Sequence, residues 1–290
     1  MANVIISYPN QVDATYYTVA FSQGSWAASL PLTNLRSPLL AKVARSMDDA
    51  TASTKFLVDL GAPRDITIIA GVGHNLSRIG ATWRARGYSD AGLTSLQYDT
   101  TAIDPWPILY PFGSLPFHHP SWWDGKLEPE KLGDYPKLFI HKTTTTAVAR
   151  YWLFEFSDTS NEDGYVQLSR LILAPGWQPD INMQYGAQLG WETDTSFETS
   201  LGGVRFFTRR NGRRVVRFVI RAIDFDEAMV WPFEMMREQG TDRQVMFVFN
   251  PDDTEHMLRR SFLARMRQLS PLEFIAFDNA QVAFELEEVL

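Results

Sequence analysis

The sequence predicts a mainly β protein: a β-sandwich or jelly roll to about residue 178, then a small β-barrel crossed by one α-helix. Three observations predict it. Up to residue 178, short runs of β-branched and aromatic residues alternate with Pro, Gly, Asn and Asp. Almost no helical period accompanies them. Beyond residue 178, two strands, a helix and further strands follow within about 90 residues. The length, 290 residues, corresponds to roughly two domains at about 100–200 residues each.

In chain order, Lys55 to Leu60 reads as a strand closed by Gly61-Ala62-Pro63, and Asp65 to Ala70 as the next, covered on both faces. Thr82 to Tyr88 alternates, placing Arg84 and Arg86 on one face and Trp83 and Ala85 on the other. Ala149 to Phe156 is the strongest strand of this half, and Tyr165 to Leu173 follows a polar turn. Between them, the loop 104–136 carries six prolines before Gly133 together with Trp106, Phe112, Phe117, Trp122 and Trp123. Each Pro removes a ladder donor, so regular pairing is not expected there.

Ala174-Pro175-Gly176-Trp177-Gln178-Pro179 interrupts any strand and sets the domain boundary. The expected organisation is therefore 1–178, a connecting arm 179–200, and a second domain 201–290. Asn211-Gly212 suits a type I′ turn, which predicts a hairpin of Val204–Arg209 with Arg213–Ala222. Val216, Phe218 and Ile220 share one face of its second strand; Arg213, Arg217 and Arg221 share the other. Asp224-Phe225-Asp226-Glu227 reads as a capping box opening a helix over about 224–239, which Pro232 must kink or split and Gly240 stops. Gln244–Phe249, Arg259–Leu269, Leu272–Phe277 and Gln281–Leu290 supply the remaining strands.

Composition sets limits. With 45% apolar residues, 19 Phe, 10 Tyr and 9 Trp, the chain has ample material for a core. There is no cysteine, which removes disulfides, thiolate metal sites and cysteine nucleophiles. A net charge of −7 lacks the excess of cations a general nucleic-acid binder needs, and no sequence-specific nucleic-acid contact is expected. The N-terminus shows no basic segment followed by an apolar one, and no apolar run is long enough to span a bilayer. Synthesis in the cytoplasm and no membrane partner are the expectations.

No catalytic residue, metal or cofactor is assigned. Gly71-Val72-Gly73 lacks the third glycine of a dinucleotide fingerprint, since Leu76 stands there. His118-His119 near Asp124 is a weak metal candidate, because adjacent residues of an extended chain point to opposite sides. Asp48-Asp49, Asp252-Asp253 and Glu287-Glu288 read as solvated turns and ends.

Two constellations stand out. His118, His119, Trp122 and Trp123 form a candidate glycan-stacking loop, since indole faces take the apolar side of a sugar ring. The competing and favoured use of these rings is to pin the long loop to its own domain or to a neighbouring subunit. Seven arginines fall between residues 205 and 221, and Arg205, Arg209, Arg213, Arg217 and Arg221 are assigned to a subunit interface bridging carboxylates.

Leu32-Thr33-Asn34-Leu35, the run Lys55 to Ile66 containing Asp59-Leu60-Gly61, and the strands Arg150–Phe156 and Val166–Leu173 resemble the discoidin-like, galactose-binding jelly roll. The resemblance covers about residues 15–178 and carries no sugar contacts over by position. The arginine-rich segment, the helix after Asp224, Val245 to Asp253 and the terminal Phe284 to Leu290 are similar to the small barrel-plus-helix domain of tailed-phage tail-tip proteins, including distal tail proteins. The domain order differs from distal tail proteins that put the barrel first.

That resemblance implies a virion structural protein of the tail tip or baseplate, not an enzyme, made in the host cytoplasm and ringed about the tail axis with the jelly roll outward. Its partners would be copies of itself, as a trimer or hexamer, and other tail-tip and tail-tube proteins, with a host-surface glycan as a further candidate. The alternative is a carbohydrate-binding adhesin. A glycan-active enzyme is the third reading, and the sequence names no carboxylate pair for it.

Overall fold

The computed structural model describes residues 2–13, 18–133, 135–253 and 255–290. It is mainly β, with antiparallel sheets and one principal helix. The chain forms two compact units: Met1–Gln178 with Met246–Phe262, and Pro179–Val245 with Leu263–Leu290.

The first unit is a β-sandwich built on a sheet whose order is Ala20–Ser22, Phe56–Val72, Leu138–Ser157, Thr82–Tyr88 and Leu96–Asp99. Arg170–Ala174 pairs with the far end of Phe56–Val72. The two strands expected over 55–70 are one strand. Gly61 takes φ +75, and the pairing with Leu138–Ser157 shifts register between Asp59 and Arg64 instead of ending there. Asp59 secures the bend: it accepts from the Gly61 amide at 2.8 Å and from Arg150 Nε at 2.7 Å.

Period-two alternation then fills the interior. Phe56, Val58, Leu60, Trp83, Ala85, Trp152, Phe154 and Phe156 turn into one core, closed over by Leu32, Leu35, Val166 and Leu168. Phe56 and Phe154 stack at 5.1 Å. On the opposite side, Arg84 pairs with Asp99 and Arg86 with Glu155, as the alternation predicts. Gly71 lies against the Phe139 ring, 2.2 Å from where a Cβ would sit. The glycine pair at 71 and 73 therefore serves close packing and a turn. A small antiparallel group completes the unit: Ile5–Ser7 runs between Gly176–Trp177 and the Met246–Val248 end of Gln244–Val248.

In the second unit, Arg213–Asp224 pairs with Gln188–Glu192 on one side and Asn279–Glu288 on the other. Asn279–Glu288 also carries Glu273–Ala276 and the end of Ser261–Met266. The hairpin expected about Asn211-Gly212 does not form. Arg205–Thr208 pairs instead with Ser196–Thr199, and the turn lies at Ser200–Gly203, where Gly203 donates to Ser200 O at 2.9 Å. Burial overrides turn propensity here. Val216, Phe218 and Ile220 are covered when Arg213–Asp224 lies beside Val282, Phe284 and Leu286, whereas Arg205–Thr208 has nothing apolar to cover it. The expected connecting arm thus contributes two strands.

The helix runs from Phe225 to Gln239 and passes through Pro232 by widening to a π turn over Met229–Phe233, which spares the clash with the preceding turn. The cap differs from the expected box. Asp224 accepts from the Asp226 amide at 2.9 Å, and Glu227 accepts from the Asp180 amide at 3.4 Å.

Candidate functional site

The long loop of the first unit divides into a buried base and an exposed tip. Trp106 makes the base: it is 3% exposed, donates from Nε1 to Leu76 O at 2.9 Å and meets the His74 ring edge-on at 5.1 Å. Leu109 and Leu127 are buried beside it. Lys126, almost wholly enclosed, donates to Arg78 O at 2.7 Å and pairs with Asp104. Arg78 donates to Leu127 O and to Asp124, each at 2.8 Å. The Leu109 and Tyr110 amides both donate to Gly125 O, at 2.7 and 2.8 Å. Gly125 takes φ +61, and a Cβ there would stand 2.5 Å from Tyr110 O, so only glycine closes the loop this tightly. Arg259, in the segment that returns to this unit, donates to Leu109 O at 3.3 Å and lies over the Tyr110 ring.

With these anchors in place, the tip rings are left to solvent. Phe112, Phe117 and Trp123 are 82%, 64% and 81% exposed. Half-buried Trp122 is their hub: Phe112 lies 5.6 Å away, Phe117 5.2 Å and Trp123 4.5 Å, the last two perpendicular to it. Trp123 is oriented by this perpendicular packing and still leaves 81% of its surface in solvent. A shallow cavity of about 100 Å³ lies among Ile108, Phe112, Trp122, Trp123 and Asp124. A second, of about 470 Å³, is walled by Trp106, Ile108, Leu138 and Phe139, with Asp104 and Lys126 at its edge.

Polar groups border the tip. His119 Nε2 stands 3.4 Å from Glu128 Oε1, and His119 Nδ1 accepts from the Ser121 amide at 3.2 Å. Lys131, donating to Glu128 at 2.9 Å, holds that carboxyl below its ordinary range. His118 is exposed and adopts φ +72. The structure thus brings His118, His119, Trp122 and Trp123 onto one loop. Trp106, not the Trp122-Trp123 pair, is the main anchor. Sequence reading missed Arg78 and Asp104 at the base; the prolines on either side of Trp106 mark a fixed position, but nothing local marks Lys126, a polar neighbour of the tryptophans in sequence, as buried.

The arginines divide by partner. Arg213 pairs with Asp194 and approaches Glu287 to 3.6 Å, and Arg217 meets Glu285 at 2.9 Å and Glu192 at 3.7 Å. Arg205 lies over the Phe197 ring at 5.0 Å, while Arg209 and Arg221 are exposed. Arg214, outside the expected set, is buried against Glu288. The carboxylate pairs have structural duties: Asp48 caps Ala50, Asp253 accepts from the Glu255 and His256 amides, and Glu287 and Glu288 hold arginines. Among the described residues, no group of three His, Asp or Glu is placed to hold a metal ion, and no helix is long and apolar enough to cross a membrane.

Solved structures similar to this chain include the lectin domain of lectinolysin in complex with Lewis B antigen, at 14% identity and a TM-score of 0.36, covering 57% of this chain and 95% of that one. CBM32-1 from a family 31 glycoside hydrolase of Clostridium perfringens matches at 10% identity and TM-score 0.35, covering 58% of this chain and all of its own. A Ruminococcus gnavus GH29 fucosidase in complex with fucose matches at 11% and 0.35, over 58% of this chain and 27% of the enzyme. At these scores the likenesses do not bear on what the chain binds. No family model and no curated protein matches the sequence.

Proposed function

We propose that the first unit is a carbohydrate-binding module and the chain an adhesin or receptor-binding protein, with the tip of loop 104–136 as its glycan contact. The observation that carries this reading is the division of the loop. Trp106, Arg78 and Lys126 hold it, so Trp123 is free to offer an exposed indole beside Asp124, with His118 and His119 on the same loop. A pyranose stacks its apolar face on such a ring and gives its hydroxyls to neighbouring carboxylate and imidazole groups. The discoidin-like stretch Asp59-Leu60-Gly61 supports the same reading. The test is thermal stabilisation by a broad glycan panel. A ligand-dependent rise in Tm that Trp123→Ala abolishes, with the unliganded Tm unchanged, is the expected outcome; no shift with any glycan would sink it.

A second reading places this module in the tail tip or baseplate of a tailed phage, as one of several copies about the tail axis. It is favoured by the second unit, whose strands Ser196–Thr199 and Arg205–Thr208 expose every side chain, Phe197, Phe206 and Phe207 among them. Large exposed aromatic surface marks a protein contact. Detection of the chain by mass spectrometry in purified phage particles, at a fixed ratio to tail proteins, is the expected result. Its absence from particles would remove this reading and leave the first intact.

A further inference from the structure

The second unit leaves two apolar surfaces uncovered. One is the ribbon Ser196–Thr199 with Arg205–Thr208. Phe197 and Phe207 face each other across it at 6.0 Å, Phe206 stands on the other side, and Leu201 and Val204 lie bare at the turn. A two-stranded hairpin with both faces in water is marginal by itself. The other is a groove of about 590 Å³ between Met229, Phe233 and Met236 of the helix and Leu269, Leu272 and Phe274. Arg237 and Ser270 are the polar side chains in its lining. A small polar ligand would find few groups there to fix its orientation, whereas a pair of aromatic side chains would fill it.

Charge says what covers them. The ribbon segment 196–210 carries Arg205, Arg209 and Arg210 against Glu198. The helix beside the groove carries Asp226, Glu227, Glu234 and Glu238 against Arg237, and Glu273 and Asp278 follow in the opposing segment. The ribbon segment is thus net positive and the helix with its opposing segment net negative, Arg237 of the groove lining being paired with Glu234 and Glu238, and both apolar surfaces are exposed within one chain.

We propose that the aromatic ribbon of one copy seats in the helix groove of the next, a head-to-tail contact between identical chains. Such a contact uses two different patches per subunit, so it closes into a ring when the rotation between neighbours divides a full turn. The inference rests on the assembly reading above and names its surfaces. These are not the ladder arginines Arg213 and Arg217, which are already paired within the chain.

Sedimentation of the full-length protein at tens of micromolar tests it, with two variants: Phe207→Glu in the ribbon and Phe233→Lys in the groove, both at exposed positions. The wild type is expected to sediment above monomer mass and to shrink as salt rises. Each variant alone is expected to be monomeric with an unchanged circular dichroism melt. Their equimolar mixture is expected to yield a dimer and nothing larger, because one intact ribbon meets one intact groove. If a charged variant loses its melt, Phe207→Ser and Phe233→Ser give the same readout. A wild type that assembles while both variants assemble equally well, or monomeric variants whose mixture stays monomeric, overturns the contact but leaves assembly standing. A wild type that is monomeric throughout overturns both.

Discussion

The loop 104–136 of the first unit and the segment 189–210 of the second both lie outside the cores, and both are rich in aromatic residues. Loop 104–136 has Trp106 at 3% exposure and a buried lysine beneath it, so its rings divide into an anchor and a display. Segment 189–210 is tied to its sheet by the backbone ladder of Gln188–Glu192 with Arg213–Asp224, but its large side chains stay out: Leu189, Trp191, Phe197, Leu201, Phe206 and Phe207 are all exposed, from 43% to 112%. Aromatic content is common to both regions; the buried polar base is what differs. Arg78, Asp104, Asp124 and Lys126 fix the loop against its own domain, which holds the exposed rings in place.

Removing the anchor has the largest expected effect. Trp106→Ala is expected to cost about 3–5 kcal/mol, the range for a buried indole, and to abolish glycan-dependent stabilisation although Trp123 is untouched. Phe207→Ala is expected to stay within about 0.5 kcal/mol, as for surface positions. Urea unfolding of both variants measures the contrast. Equal losses would mean that the ribbon is packed like the loop.

A second contrast lies within one strand. Arg214 shares the core-facing side with Val216 and Phe218, and its guanidinium is enclosed with Glu288, which also accepts from the Arg214 amide at 3.0 Å. Arg217, one residue off that parity, meets Glu285 in water. Arg214→Ala leaves a buried carboxylate without its partner and is expected to cost about 3–5 kcal/mol. Arg217→Ala is expected to cost about 0–1 kcal/mol. Similar losses at both positions, read from chemical unfolding, would contradict the burial assigned to Arg214.

Legibility in the sequence followed the range of the deciding interactions. The alternation at Thr82–Tyr88 and the Val216, Phe218, Ile220 face were readable because a period of two is local. The strand Phe56–Val72 read as two, because Gly61-Ala62-Pro63 looks like an end and only the partner Leu138–Ser157 carries the ladder past it. The false hairpin at Asn211-Gly212 has the same cause: a favourable turn lost to a buried pairing with Asn279–Glu288, about 60 residues further along the chain. At the site, Trp122 and Trp123 were visible as residue types. Which tryptophan would be buried depended on Leu76 and His74, which sequence does not place next to Trp106.

The anchor also makes the first unit sensitive to acid. His74 is fully buried against Trp106 and Phe139, and neither ring nitrogen has a hydrogen-bond partner. Burial first, and the nearby Lys137 charge second, push its pKa down to about 3 from 6.5. The unfolded chain therefore takes up a proton near pH 6.5 that the folded chain refuses until about pH 3, so stability falls as pH is lowered across that window. The loss amounts to a few kcal/mol at about 1.4 kcal/mol per pH unit. His74→Leu removes this contribution, and its urea midpoint is expected to decline less between pH 7 and pH 4 than that of the wild type. Parallel declines would show that the imidazole is solvated.

The smallest expected effect is local. In the monomer, ribbon amides across the pairs Phe197↔Phe207 and Thr199↔Arg205 have water on both faces, so their opening free energy is expected near zero. Amides of Trp152 and Phe154, paired with Val58 and Phe56 in the first core, are expected to exchange only by global unfolding. Hydrogen exchange on the monomeric Phe233→Lys variant reads both at once. Slow exchange throughout the ribbon in that monomer would mean that its own chain already orders it, and the distinction between an anchored loop and an unanchored ribbon would lose its physical basis. Fast exchange in the monomer, slowed in the wild-type assembly, ties the order of the ribbon to the neighbouring copy that covers it.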